Sequence, residues 1–340
     1  MQSSRRCHYN HALEYAIERA NELELPIVVF FALTVHYPEA NERHYAFLLE
    51  GLVETANELK RREISLVVYL QTPERGALKM AKRAAMVVTD CGYTRHQVHW
   101  RQFLAKNATC PVIQIESDVI VPLEVTSGKE EYSAATLRRR LKKHQEAYLV
   151  PLTQRKVAHS SLELELESLD LEHWQALLAD IPIDRTVKRQ DRFIGGTKKA
   201  RSWLKKFIEE KLKFYGEDRN EPSANVRSYL SPYLHFGHIS PIEVALEIRR
   251  AEVPEEAKAA FMEELVIRRE LSCNFLYYNS HYDEFDCLPD WALKTLDEHR
   301  EDERPKLYEI EELEACQTDD PFWNAAQREI SITGMMANYM

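Results

Sequence analysis

The sequence predicts an α/β domain with a parallel sheet, followed by an all-α domain. In the first third of the chain, short β-branched runs alternate with stretches in which apolar residues recur at helical spacing. Past residue 195 only the helical spacing occurs. Nine glycines in 340 residues are too few for a glycine-rich all-β protein, and this composition favours helices.

The elements of the first third follow a regular order. Strands are predicted at 26–33, 64–70, 84–90 and 111–117. Helices are predicted between them, from about 39 to 61, near 74–83 and through the segment HQVHWRQFL. Continuous β-branched runs are typical of strands buried on both faces, as in a parallel sheet covered by helices. The chain enters its first helix directly, so we expect the first, central strand of such a sheet to be missing.

The pattern divides the chain into three parts. Residues 1–120 are predicted to form the α/β domain, 121–194 an interdomain connector and 195–340 the helical domain. Parallel sheets of this kind bind ligands at the carboxyl ends of their strands. Neither G-x-G-x-x-G nor G-x-x-x-x-G-K-[ST] occurs, which argues against a dinucleotide or P-loop site of the usual kind.

Composition excludes several classes of protein. The net charge of −10 gives no overall positive field, so a nucleic-acid partner would need a local basic patch. The six cysteines form no C-x-x-C pair, and no metal site is predicted. No secretion signal and no apolar run of about 18 residues occurs, so we expect a cytoplasmic protein without a membrane partner.

The stretch SYLSPYLHFGHISP, residues 228–241, contains two Ser-Pro pairs. This pattern predicts two helix starts capped by Ser231 and Ser240, with Glu243 completing a capping box at the second. Helix N-termini attract phosphates, and Arg227 just upstream favours a phosphate site. The alternative is that the serines only cap helices. His235 and His238 are interpreted as packing or capping groups.

The same stretch resembles the flavin-binding signature of the photolyase–cryptochrome family. Further segments resemble the class II cyclobutane pyrimidine dimer photolyases and follow in that family's order, among them YPEANERHYAFLLEGL, VVTDCGYTRHQVHWR, FMEELVIRRELSCNFLYYN and TDDPFWNAAQREISITG. The resemblance covers nearly the whole chain. It implies a Rossmann-like antenna domain followed by an all-α FAD-binding domain.

The resemblance also implies an activity. Members of the family use a bound, fully reduced FAD and light to split a pyrimidine dimer in UV-damaged DNA, a carbon–carbon lyase reaction. The dimer must leave the base stack to reach the site. In that family the α/β domain can hold a second, light-harvesting chromophore, often a deazaflavin, and no residue here identifies one. We expect a monomer that associates with the nucleoid when it binds DNA.

Individual roles follow from the matched positions. Contacts to the flavin nucleotide and its phosphates are implied for Tyr215, Arg219, Arg227, Ser228, Tyr229, Leu230 and Ser231. The resemblance implies that Glu264 binds the base edge of the dimer and that Trp323 belongs to the electron-transfer chain. Arg268 and Arg269 are implied to contact DNA or flavin. The alternatives are a solvated helix face for Glu264, surface charge for the two arginines and simple core packing for Trp323.

Some positions depart from the family. Relatives continue beyond a segment like TGMMANYM, so we expect a chain truncated at its C-terminus and slightly at its N-terminus. Asp319 and Cys273 replace a His and an Asp that are common there. Two other functions therefore stay open: a truncated, inactive fragment, or a cryptochrome-like flavoprotein that does not repair DNA. A third, a nucleotide-binding α/β protein, would use the strand ends of residues 1–120.

Overall fold

The computed structural model describes residues 1–340, and its first third alternates helices and strands as the sequence predicts. The elements are α1 His11–Glu22, β1 Val28–Leu33, α2 Glu42–Arg61, β2 Ser65–Leu70, α3 Pro73–Ala81, β3 Val87–Asp90, α4 Arg95–Asn107 and β4 Val112–Ile115. Each strand coincides with a β-branched run, and α1, α2 and α3 pack against the strands.

The strands pair in parallel, but they form two sheets where the sequence predicts one. Strand β1 pairs with β2, and β3 pairs with β4. Between β1 and β3 runs the start of the chain: the Met1 amino group donates to Phe30 O at 2.7 Å, and the Gln2 N–H donates to Asp90 Oδ1 at 2.5 Å. A cavity of about 1400 Å³ opens beside these residues because β1 and β3 do not pair.

The remainder of the chain is helical. The helices are α5 Leu123–Thr126, α6 Ala134–Leu141, α7 Gln145–Tyr148, α8 Trp174–Asp180, α9 Thr197–Glu210, α10 Tyr215–Asp218, α11 Ser231–His235, α12 Pro241–Arg250, α13 Glu255–Met262, α14 Arg269–Tyr278, α15 Asp290–Glu298, α16 Ile310–Glu314 and α17 Pro321–Thr333. Short 3₁₀ turns lie at Leu212–Phe214, Pro222–Ala224 and Phe285–Cys287, and a π-helical segment spans Glu263–Arg268. No strand follows β4, which confirms the predicted fold class, an α/β part followed by a helical part.

The largest hydrophobic core belongs to the helical part. It contains residues of α6, α9, α11, α12 and the π-helical segment, together with Phe47 of α2. The connector therefore contributes α6 to the same core as the helices that follow it. By contrast, α15 and α16 bury no residue, and α17 buries only Ala326. No helix has the length and apolar character needed to cross a membrane.

Candidate functional site

The loop between Asn225 and Ser231 is held in an unusual backbone conformation. Asn225 and Tyr229 both have positive φ, 52° and 58°, a region that non-glycine residues rarely occupy. The Tyr229 hydroxyl donates to Asn225 Oδ1 at 2.5 Å, and Lys211 Nζ donates to the Asn225 carbonyl at 2.7 Å. Because the Tyr229 side chain is buried, these contacts attach the loop to the interior of the protein.

The two predicted helix starts have different outcomes. Ser240 caps α12 as predicted, since its hydroxyl accepts a hydrogen bond from the Ile242 N–H at 3.2 Å. The predicted cap at Ser231 is wrong: Leu230 occupies the N-cap position of α11, and Ser231 is its first helical residue. The predicted capping box at Glu243 is also wrong, because an ion pair with Arg201 at 2.5 Å engages its carboxylate.

Ser231 and Ser228 lie at the open side of this loop. Since Ser231 caps no helix, its exposed hydroxyl stays available to a ligand. The Ser228 hydroxyl makes one long contact, accepting from the Leu230 N–H at 3.4 Å. Leu230 itself is buried in the core and anchors the start of α11. The loop therefore presents two hydroxyls above an apolar base.

Arg227 provides unused hydrogen-bond donors at the same loop. Its Nη2 is 2.7 Å from Glu329 Oε1 of α17. Its Nε and Nη1 atoms are buried and have no partner. Unpaired buried donors are costly, and an anion such as a phosphate would satisfy them. This is the feature of the structure that fits a phosphorylated ligand.

Tyr215, Arg219 and Glu264 lie together, although they come from two distant segments. Arg219 Nη1 is 3.3 Å from Glu264 Oε1 and donates to the Ala260 carbonyl at 3.2 Å. Burial, and then the charge of Glu264, raise the pKa of Tyr215 to about 12. The Glu264 side chain is 37% exposed, so it is neither buried nor a freely solvated surface residue.

The two predicted arginines lie where the π-helical segment ends, at Arg268, and α14 begins, at Arg269. Arg268 is exposed, and its Nε lies 3.2 Å from Glu263 Oε1. Arg269 points instead to the α/β part, where its Nη1 donates to the Asp118 carbonyl at 2.5 Å. Consecutive helical residues differ by about 100° in direction, so the two side chains cannot share one ligand face.

Trp323 lies on α17, away from the Tyr215–Glu264 pair in sequence and packing. Asp320 caps this helix by accepting from the Phe322 N–H at 2.8 Å and the Trp323 N–H at 3.2 Å. The indole N–H donates to the Leu313 carbonyl at 3.2 Å, and the side chain is 45% exposed. Trp323 is therefore not a buried core residue.

Sequence reasoning missed a group of basic residues at the interface of the two parts. Arg5, His44 and His235 line the cavity together with Ser231 and Arg269. Burial lowers the pKa of His235, and the charges of Arg5 and His44 lower it further. Arg5, His44, His235 and Arg269 come from four separate segments, so no local sequence pattern indicates that they lie together.

Known proteins are similar to this chain along its whole length. Residues 1–158 match the family model described as DNA photolyase. A deoxyribodipyrimidine photo-lyase from Methanothermobacter thermautotrophicus is 45% identical over 344 residues, covering 100% of this chain and 74% of the relative. One from Potorous tridactylus is 34% identical over 346 residues, covering 100% of this chain and 64% of that relative. The chain thus spans about two thirds to three quarters of these proteins.

Among solved structures, an archaeal photolyase from Sulfolobus tokodaii with two FAD molecules has a TM-score of 0.72 at 17% identity, covering 100% of this chain and 71% of that one. The two proteins therefore share a fold, with an α/β part followed by a helical part. The 45% identity to the Methanothermobacter thermautotrophicus relative is high enough to assign a family. The chain belongs to the DNA photolyase family, and the predicted enzyme class is confirmed at the level of the family.

Proposed function

We propose that this protein is a class II photolyase that repairs cyclobutane pyrimidine dimers in UV-damaged DNA with bound FAD and light. The observation that carries the proposal is the 45% identity, over the whole chain, to a relative named deoxyribodipyrimidine photo-lyase. The class II assignment depends on the segments around YPEANERHYAFLLEGL and FMEELVIRRELSCNF.

The loop from Arg227 to Ser231 is the proposed site for the FAD phosphates. The unpaired Nε and Nη1 of Arg227 and the free hydroxyl of Ser231 fit the oxygens of a diphosphate. Tyr215 adds a half-buried aromatic ring beside Arg219 for the rest of the nucleotide. Reduced FAD, when bound, supplies the light-excited electron that splits the dimer.

Glu264 is the proposed contact to the pyrimidine edge. A carboxyl group can accept from an N–H or, when protonated, donate to a carbonyl of the base. The guanidinium of Arg219 at 3.3 Å orients this carboxylate and limits its rotation. Trp323 is proposed as an electron donor that reduces the flavin, since its exposed indole can exchange electrons with a reductant in solution.

A second chromophore is proposed at the interface cavity. Its lining includes the guanidinium groups of Arg5 and Arg269, which suit an anionic planar ligand, and the imidazoles of His44 and His235, whose pKa values burial lowers. The Sulfolobus tokodaii photolyase, whose structure contains two FAD molecules, supports this proposal. A deazaflavin would meet the same basic residues.

The test begins with the absorption spectrum of the purified chain after incubation with excess FAD and desalting. We expect flavin bands at near-equal stoichiometry and light-dependent repair of a thymine-dimer oligonucleotide. The substitution Glu264→Gln should lower repair roughly tenfold or more, the cost of one hydrogen bond to a charged group, while FAD retention stays unchanged.

The contrary outcomes have distinct meanings. Retained flavin without repair in light would favour the cryptochrome-like flavoprotein. No retained flavin would mean that residues 215–231 do not hold the cofactor in this chain. A loss of both FAD and repair in Glu264→Gln would assign Glu264 to the flavin site instead of to the substrate.

A further inference from the structure

Three cations surround the ring of Tyr229. The Cζ of Arg192 lies 4.6 Å from the ring centroid, Lys211 Nζ 5.0 Å and the Cζ of Arg227 5.3 Å. They come from the end of the connector, from the residue after α9 and from the loop itself. We call Arg192, Lys211 and Arg227 the cation cluster.

An aromatic base holds this cluster together. The rings of Phe193, Trp203 and Tyr229 lie with their centroids 5.1 to 5.8 Å apart. The guanidinium of Arg192 is also 5.4 Å from Phe193 and 5.8 Å from Trp203. The negative faces of aromatic rings attract cations, so these three rings hold the cations of the cluster close together despite their like charges.

The positive charge of the cluster is not balanced. Only Arg227 has an acidic partner, Glu329. Lys211 donates only to the Asn225 carbonyl, and Arg192 has aromatic neighbours but no ion pair. Burial lowers the pKa of Lys211, Tyr229 and Glu210 raise it, and the charges of Lys206 and Arg192 lower it. A surplus of positive charge therefore lies directly behind the loop.

We propose that Arg192 and Lys211 determine the specificity of this loop for a flavin that carries phosphate, and so for FAD over riboflavin. The inference rests on the proposed function, because it concerns the same loop. Arg227 supplies the direct donors to the diphosphate. Arg192 and Lys211 are positioning residues: they hold Tyr229 in its left-handed conformation and add a positive potential at the loop.

This division of roles follows from distance and charge. Arg192 and Lys211 lie 4.6 and 5.0 Å from the Tyr229 ring, so their charges attract a diphosphate bound at this loop, whereas neutral riboflavin does not experience this attraction. Removing one of them should weaken FAD binding roughly tenfold, with a smaller effect at high salt, where screening is stronger. Riboflavin binding should be insensitive to both the substitution and the salt.

The experiment compares dissociation constants for FAD and riboflavin by equilibrium dialysis, at low and high salt, for the full chain. The test variants are Arg192→Gln and Lys211→Gln, and Arg192→Lys should restore FAD binding because it keeps the charge. The matched control is Lys205→Gln, since Lys205 lies on α9 but already pairs with Glu209 at 3.7 Å.

Each outcome is decisive. A selective loss of FAD affinity in both test variants, with Arg192→Lys and Lys205→Gln like the wild type, supports the inference. An equal loss for both flavins would mean that the cluster only maintains the fold, and unchanged FAD binding would also overturn the inference. If the wild-type chain binds no FAD, the proposed function fails and the inference fails with it.

Discussion

His238 is completely buried and stays neutral in the folded protein. Its Nδ1 accepts a hydrogen bond from the Gly196 N–H at 3.0 Å, which confirms its interpretation as a packing and capping group. A Cβ at Gly51 would lie 2.2 Å from its Nε2, so the ring requires glycine there. Burial, and then Arg5 and Arg6, lower the pKa of His238 to about 3.

The lowered pKa of His238 makes the free energy of unfolding depend on pH. In the unfolded chain the imidazole titrates near pH 6.5, so below that pH the unfolded state binds a proton that the folded state excludes. The stability that neutral His238 contributes is present above about pH 6.5 and is lost as the pH falls toward 3, by up to about 1.4 kcal/mol per pH unit.

The substitution His238→Asn should remove part of the acid sensitivity. An asparagine oxygen can still accept from the Gly196 N–H but cannot take up a proton. Between pH 7 and pH 5 we expect the wild type to lose about 1–2 kcal/mol more than the variant. Urea unfolding at several pH values measures this difference. His159→Asn, at an exposed position, should leave the slope unchanged; parallel pH profiles for His238→Asn and the wild type would refute the prediction.

Glu270 makes the free energy of unfolding depend on pH in the opposite direction. Its Oε1 accepts from the Ile120 N–H at 2.5 Å, whereas Oε2 has no partner, and burial raises its pKa to about 8. Because the unfolded carboxyl titrates near 4.3, the folded state holds the extra proton between these values. Stability from this group therefore falls as the pH rises from about 4.3 to 8.

We expect Glu270→Gln to be more stable than the wild type at pH 8, by about 1–3 kcal/mol, and equal to it near pH 4.5. The amide keeps an acceptor for the Ile120 N–H and never ionises. Thermal or urea unfolding at the two pH values checks the result, with the exposed Glu217→Gln as the control. A variant that is less stable than the wild type at pH 8 would show that the charged carboxylate is the form the fold requires.

At the scale of elements, the continuous helix from Glu255 to Tyr278 connects the site to the α/β part. Glu264, in its central π-helical segment, reaches Arg219. Its second half docks through Glu270 on Ile120, which follows β4, and through Asn274 on Glu131, which lies between α5 and α6. The π-helical segment Glu263–Arg268 lies between the halves and changes the direction of every later side chain. The sequence predicts the helix but not the π turn, because its apolar spacing also fits an α-helix.

The docking of the second half can be tested at Asn274. This side chain is fully buried, accepts from the Glu131 N–H at 2.8 Å and donates to the Lys129 carbonyl at 3.1 Å. Asn274→Leu would leave both backbone groups unpaired, and we expect a loss of about 2–5 kcal/mol in the free energy of unfolding. Ser272→Ala, on the exposed side of the same helix, should change it by less than about 0.5 kcal/mol. Similar losses for the two variants would argue against this docking contact.

For the molecule as a whole, local sequence patterns predict the helices and strands but not the tertiary contacts between residues distant in sequence. The β-branched runs identify all four strands, because such residues fit buried strands. The division of the sheet depends on the contacts of residues 1–4 with Asp90. The interface cavity depends on Arg5 and His235 lining the same space. Likewise, Tyr215, Arg219 and Glu264 are predicted site residues, but their contact required the fold. Pairings of this kind leave no periodic signal in the chain.

The last helices should be the least protected part of the whole molecule. Phe322, Trp291 and Leu307 are 73% or more exposed, whereas most residues of α12 are buried. Arg43 of α2 fastens α17 from the α/β part, donating to the carbonyls of residues 330 and 331 at 3.2 and 3.0 Å. These bonds place a cation at the C-terminus of α17, where the helix dipole favours it.

Hydrogen–deuterium exchange read by mass spectrometry tests this order of stability. We expect α15 and α16 to exchange first and α12 last, since exchange protection follows buried contacts. Arg43→Gln should speed exchange in α17 roughly tenfold, because it removes two charge-assisted bonds to that helix. Arg61→Gln is the matched control, an arginine of the same helix α2 that pairs only with Glu58 on its own surface. Unchanged exchange of α17 in Arg43→Gln would mean that Arg227 and Glu329 alone fasten the helix to the rest of the molecule.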